Sequence, residues 1–210
     1  MENASTPTST RGAGRDRLLS AARDLVRRQG FAATSVDQLC REAGVTKGAF
    51  FHHFASKADL GVAAAEDWAQ ATGAMFAAAP YHDHDDPLDR LLAYVDFRRQ
   101  IIAGEIEEFT CLVGTLTQEV YHQHPRIRAA CAASIFGHAA TLEADIAAVM
   151  ARRGLTGFSA TSLAAHTQAV LQGAFILAKA ADDPGLATDS VDHLKRYLVL
   201  LLQDPERRTA

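Results

Sequence analysis

The sequence predicts an all-α protein: an amino-terminal three-helix head of the helix-turn-helix kind, followed by a bundle of roughly six helices. Three observations predict it. Apolar residues recur at helical spacing through most segments, helix-starting caps stand ahead of several of them, and alanine is abundant while β-branched runs are few. At 210 residues with 48% hydrophobic composition, the chain is long enough to bury a sizeable core.

Residues 1–14, rich in Ser, Thr, Pro, Gly and Ala, are read as a disordered arm from which Arg11, with the neighbouring Arg15, could reach a groove. A first helix is expected from about Asp16 to Gln29. Leu18, Leu19, Ala22, Leu25 and Val26 form its apolar stripe, and Gly30 ends it. Phe31 then turns back into a small core. Ser35 with Gln38 is a capping box that opens a second helix, whose core side carries Val36, Leu39 and Ala43. Gly44 stands where a helix can stop in the left-handed conformation. Thr46 caps a third helix through Phe54, with Phe50 and Phe54 buried on one stripe.

That third helix leaves Lys47, Gly48, Phe51, His52 and His53 facing outward or sideways. A lysine, a threonine hydroxyl and the N–H groups of a helix start hold phosphate oxygens well, so this surface suits a DNA groove. Gly48 offers no side chain where the helix would approach a ligand's backbone. A plain core hairpin is the poorer reading, since adjacent histidines and a lysine are odd core residues.

Ser56 with Asp59 opens a long helix to about Ala78, and Lys57 in its first turn lies close enough to the head to meet a phosphate. Pro80 to Pro87 is a loop; its His82 and His84 among aspartates read as a solvated acidic turn, and no metal site is expected. Asp86-Pro87 starts a helix to about Ala103, with Leu88, Leu91, Leu92, Val95 and Ile102 buried. Further helices are expected over about Glu105–His122, Arg126–Arg153, Ser159–Ala181 and Ser190–Gln203. The end, with Glu206, Arg207 and Arg208, reads as a frayed tail over residues 205–210. The resulting division is an arm (1–14), a DNA-binding head (15–58), an effector-binding and dimerisation body (59–204) and that tail.

Charge is unevenly shared. Residues 1–60 carry nine Lys/Arg against six Asp/Glu, and the remainder twelve against nineteen. A basic head on an acidic body suits a molecule presenting one end to phosphates. Three cysteines, Cys40, Cys111 and Cys131, have no metal-ligand spacing and argue against a disulfide framework. With no secretory signal at its start and no membrane-length apolar run, the chain is expected to be cytoplasmic. There is no nucleophile elbow, phosphate-cradling glycine loop or paired-histidine zinc motif, so neither an enzyme nor a cofactor is expected. Glu119, Glu143 and Asp145 read as solvated helix faces.

The order helix, Gly-Phe-x-x-Thr-Ser, helix, Ala-Gly-Val-Thr-Lys-Gly, aromatic pair, His-His-Phe, x-Ser-Lys-x-x-Leu spans about Arg15 to Leu60. It resembles the amino-terminal domain of TetR/AcrR-type transcriptional regulators, with many positions agreeing at fixed spacing. The resemblance implies a homodimeric regulator, a repressor by family habit, with DNA contacts from Ser35, Thr46, Lys47, Gly48, Phe51, His52, His53 and Lys57. Phe51 departs from the family's frequent tyrosine and cannot donate a hydrogen bond to phosphate. A protein of this fold without DNA affinity is the alternative. The last two helices are apolar nearly all round, and the resemblance implies that they pair with a second copy. Two recognition helices would then sit about 34–36 Å or somewhat more apart on a palindromic operator.

Helical bundles place small-molecule pockets between their helices. The expected wall is Trp68, Phe97, Phe109, Cys111, Leu112, Thr115, Phe136, His138, Gln172 and Phe175. Those residues suit an apolar or amphipathic effector. The segment around Cys111 also resembles a subgroup of the family in which a cysteine at this place reacts with quinones or aldehydes; Glu107 and Glu108 nearby oppose the thiolate that such chemistry needs, and packing is the other reading.

Overall fold

A computed structural model of the chain describes residues 10–202, with side chains from residue 12. Among the described residues there are eleven α-helices and no strand: α1 (Thr10–Gln29), α2 (Val36–Glu42), α3 (Lys47–His53), α4 (Lys57–Ala77), α5 (Pro87–Gln100), α6 (Ile106–Phe109), α7 (Leu112–Val120), α8 (Pro125–Ala140), α9 (Glu143–Arg153), α10 (Ala160–Ala181) and α11 (Gly185–Leu202). A short 3-10 turn, Pro80–Asp83, joins α4 to α5. No described helix is long and apolar enough to cross a membrane.

The caps act where the sequence puts them. Ser35 Oγ accepts from the Gln38 N–H at 3.2 Å while Gln38 Oε1 accepts from the Ser35 N–H at 2.8 Å, the reciprocal pair of a capping box. Thr46 Oγ1 accepts from Ala49 N–H, Ser56 Oγ from Asp59 N–H, and Asp86 Oδ1 from Leu88 and Asp89 N–H. Gly44, at φ +61°, makes the left-handed turn between α2 and α3 that a side chain would strain.

Four boundaries differ from expectation. The α1 helix begins at Thr10, so residues 10–14 are helical rather than part of an arm; residues 1–9, and the side chain of Arg11, lie outside what is described. The α11 helix begins at Gly185, five residues before Ser190. The tail at Glu206, Arg207 and Arg208 lies outside the described residues. The expected Glu105–His122 helix is broken into α6 and α7, because Thr110 and Cys111 adopt extended backbone, with ψ 156° and 121°. The expected Arg126–Arg153 helix is broken at Thr141-Leu142. There Thr141 Oγ1 donates to the His138 carbonyl at 2.7 Å, and i→i+3 bonds replace the α ladder. The body therefore holds eight helices, α4–α11, rather than roughly six.

Two large cores organise the described residues, beside a small cluster of Ala174, Phe175, Ala178 and Ala187. The first joins the head to the body: Leu18, Leu39, Phe50 and Phe54 share one buried cluster with Leu60 of α4, Leu112 and Leu116 of α7 and Ile127 of α8. The second lies within the body, where Leu91, Tyr94 and Val95 of α5 meet Ile146 of α9, Leu171 of α10 and Leu198 of α11. Because the first core has no seam between head and body, a shift of α7 or α8 is felt by the helices that carry α3.

Candidate nucleic-acid interface and bundle pocket

On the head, α3 is anchored by Phe50 (0% exposed) and Phe54, whose ring centroids lie 5.9 Å apart. Its outer face carries Thr46, Lys47, Gly48, Phe51 and His52, all exposed. Lys47 Nζ lies 2.9 Å from Asp37 Oδ1 across the turn; both groups are well exposed, so this pair is weak and easily traded for a phosphate. A Cβ built on Gly48 would meet only Thr46 Oγ1, at 3.8 Å, so the surface there is open.

Three of the expected contact residues have partners within the protein. Lys57 is turned inward: its Nζ donates to the Phe31 and Thr34 carbonyls, each at 2.9 Å, and lies 4.5 Å from the Phe31 ring centroid. Burial lowers its pKa, with the Glu119 charge acting against that. The amine staples the α1–α2 turn and is not held out for a phosphate. His53 is half-buried against α1, where a Cβ on Gly14 would come within 3.1 Å of its Nε2. Ser35 spends its hydroxyl on Gln38, donating to Oε1 at 3.0 Å while it accepts from the backbone.

Within the body, a cavity of about 420 Å³ opens between α1, α4, α5, α6, α8 and α10. Six of the expected residues line it: Trp68, Phe109, Cys111, His138, Gln172 and Phe175. Four do not. Phe97 packs into the second core against Phe76 and Tyr81, at 5.6 and 6.0 Å between centroids. Leu112 is fully buried in the first core. Thr115 Oγ1 hydrogen-bonds the Cys111 carbonyl and accepts from Lys179. Phe136, 64% exposed, lies on the outer face of α8. Helical spacing puts a residue on a face; it does not say which of two buried faces meets a void.

Sequence reasoning missed the arginines. Arg23 and Arg27 of the head's own first helix line the cavity, as does Arg98 of α5. Asp24 lies 3.6 Å from Arg23 and 3.3 Å from Arg27, whose guanidinium also stacks 5.2 Å from the Trp68 ring centroid. A signal for Arg98 was present: Leu91, Val95 and Arg98 follow one another at i, i+4 and i+7, which places a cation on the buried stripe of α5.

A polar chain closes one end of the cavity. Gln168 Nε2 donates to Tyr94 Oη at 3.0 Å, which directs the phenol proton to His138 Nε2 at 2.9 Å and leaves His138 protonated on Nδ1. Burial, reinforced by the Arg98 charge, pushes the His138 pKa down to about 4, so the imidazole is neutral near pH 7. Cys111 is half-buried in the wall, at the amino-terminal cap of α7. Among the described residues, no cluster of His, Cys, Asp and Glu is arranged to hold a metal.

Polar contacts also tie the cavity and body to the head. Arg27 Nη1 donates to the Glu108 carbonyl at 2.9 Å, and Lys179 Nζ of α10 donates to the Arg27 carbonyl at 3.1 Å. Glu119 of α7 accepts from the Ala32 N–H at 3.0 Å, capping the turn that Lys57 holds from the other side. It is therefore engaged within the protein while still in reach of solvent. Asp145 pairs with Arg90 at 2.7 Å where both are part-buried, and Glu143 accepts from Thr161 Oγ1 at 2.7 Å on an exposed face.

Residues 18–64 match the family described as bacterial regulatory proteins, tetR family, and residues 87–186 match the C-terminal domain of LmrA/YxaF-like transcriptional regulators. The chain is similar to the transcriptional regulator AcuR of Cereibacter sphaeroides, 30% identical over 103 residues, or 49% of this chain and 47% of AcuR. The matched stretch thus spans about half the length of that relative. The fold is similar to a TetR-family regulator from Agrobacterium tumefaciens (TM-score 0.78, 24% identity, 90% of this chain and 98% of that one). It is also similar to the reduced form of NemR from E. coli (TM-score 0.74, 25% identity, 87% and 95%).

Proposed function

The chain belongs to the TetR family of bacterial regulatory proteins, which regulate transcription and are not enzymes, and on that premise we propose a homodimeric repressor that a small molecule releases from a palindromic operator. Its place of work is the cytoplasm. The observation that carries the release mechanism is the make-up of the cavity wall: Arg23 and Arg27, both on the head's first helix, line the same void as Phe109 and Phe175 of the body. An effector that fills the void acts on α1 directly, and through the shared core on α3. Release follows by linkage: if the effector favours a geometry in which the two α3 helices no longer match the groove spacing, DNA weakens effector binding by the same factor.

On the DNA side, Lys47, Thr46 and His52 are assigned to phosphates, and Gly48 to close approach. Phe51, 51% exposed, adds apolar contact without a hydrogen bond. Lys57, His53 and Ser35 support the frame behind this surface. The dimer is assigned to α10 and α11, where Ile176, Leu177 and Tyr197 are 46%, 52% and 43% exposed. Sedimentation at micromolar concentration checks the assembly; a monomer there overturns it.

Two substitutions test the DNA face, read by fluorescence anisotropy on a duplex carrying the region upstream of the chain's own gene. Lys47→Ala weakens binding at all sequences and lowers the slope of log affinity against log salt by about one. An unchanged slope contradicts the phosphate assignment. Gly48→Ala separates folding from recognition: in the second position of α3 the methyl stabilises the free protein by roughly 0.5–1 kcal/mol. On DNA the same methyl occupies the close-approach gap, and affinity falls about tenfold or more. Equal DNA affinity in a stabilised variant would show that α3 does not approach the duplex at this residue.

A further inference from the structure

Arg98 is 9% exposed, belongs to no ion pair among the described residues, and keeps its buried Nε without a hydrogen-bond partner. Arg23 and Arg27 share the single carboxylate of Asp24, and the one carboxylate in the wall, Glu108, is tied through Oε2 to the Glu105 N–H at 2.9 Å. The imidazole of His138 is neutral, as argued above. The one side-chain hydrogen bond of Arg98 goes to the neutral Tyr94 hydroxyl, so a buried guanidinium faces the cavity without a carboxylate partner, an arrangement that is costly in the empty protein.

We propose that the cavity takes an amphipathic monocarboxylate, an aromatic or medium-chain acid, whose carboxylate pairs with Arg98. This rests on the cavity being the effector site. The guanidinium is flanked by Phe76 and Phe175, with centroids 5.2 and 5.9 Å from its central carbon. Rings on its flanks leave the donor edge as the place for an anion, and a planar carboxylate matches that edge. The polar end formed by Gln168, Tyr94 and His138 lies beside it, since the Arg98 charge acts on both Tyr94 and His138. Trp68, Met75, Ile101, Phe109 and Ile135 give the wall an apolar stretch that receives the tail. A volume of about 420 Å³ falls in the range of small-molecule sites. Of the three guanidiniums in the wall, Arg98 alone lacks a carboxylate partner, and one monoanion supplies it.

The test uses benzoate, cinnamate and octanoate, each beside its primary amide, titrated calorimetrically into the full chain, Arg98→Met and Arg98→Lys. In the wild type at least one acid binds about tenfold or more tightly than its amide. Arg98→Met loses that preference while still binding the amide, which shows the cavity intact; Arg98→Lys keeps part of it. Acid and amide binding equally in the wild type, no acid binding at all, or a preference unchanged in Arg98→Met each overturns the proposal. Should Arg98→Met fail to fold, the wild-type comparison with Arg98→Lys decides alone. Anisotropy on operator DNA separates the two readings. Amides that bind as well as acids and displace the protein uphold effector release and sink the carboxylate. Acids that bind through Arg98 without altering DNA affinity uphold the carboxylate and sink effector release.

Discussion

Phe50→Ala is expected to cost about 3–5 kcal/mol of stability and to abolish operator binding. The ring is 0% exposed and meets Phe51 edge-on at 5.2 Å and Phe54 at 5.9 Å, so truncation leaves a void that neighbouring side chains fill only in part. The size of the effect comes from the helix it anchors. A seven-residue helix such as α3 has no stability of its own and keeps its place only through tertiary packing. Phe50 also belongs to the cluster containing Leu112, Leu116 and Ile127, so the loss spreads into the body, and urea unfolding remains one transition shifted to lower denaturant. Phe51→Ala is the control: at 51% exposure it costs about 1 kcal/mol or less. A Phe50→Ala protein as stable as the Phe51→Ala protein would contradict this account of the head.

Acid is expected to destabilise the protein through His138 by roughly 3 kcal/mol. Its pKa is pushed down to about 4 in the folded chain, by burial first and the Arg98 charge second, against 6.5 for the free side chain. The unfolded chain thus binds a proton that the folded one refuses between about pH 6.5 and pH 4. Stability from this residue is whole above the unfolded value and is lost as pH falls through that window, with no further loss below the folded value. His138→Gln removes the titration and keeps an acceptor for the Tyr94 hydroxyl. The gap between wild type and variant in urea midpoint, followed from pH 7.5 to pH 4.5, should therefore move in the variant's favour as pH drops. A gap that does not change with pH would mean that His138 is charged in the folded protein or exposed to water.

Much of the head was legible because its determinants are local. The Ser35-Gln38 box, Gly44 at positive φ and the Thr46 cap each act within four residues, and each is where the sequence put it. The breaks at Thr110-Cys111 and Thr141-Leu142 were not legible, since apolar spacing runs straight through both. The turn at Thr141 is a competition between a side-chain hydroxyl and a backbone ladder, in which periodicity has no say. The candidate DNA face was only half legible. Sequence spacing set Lys47, Gly48 and His52 outward, but it did not foresee that Lys57 would be taken by the Phe31 and Thr34 carbonyls. Those acceptors lie more than twenty residues away.

From the sequence alone, then, came the all-helical class, the helix-turn-helix order and the family, because caps, glycine stops and apolar stripes are written in consecutive residues. Tertiary structure alone decided which buried side chains meet a cavity and which meet one another. Leu112 and Phe97 went to core, Arg23 and Arg27 came across from the head, and Arg98 was left facing the void without a counter-charge. The physical reason is that a void belongs to no single helix. Its walls are the surfaces that several helices fail to fill when they pack, and that remainder depends on all of their positions at once.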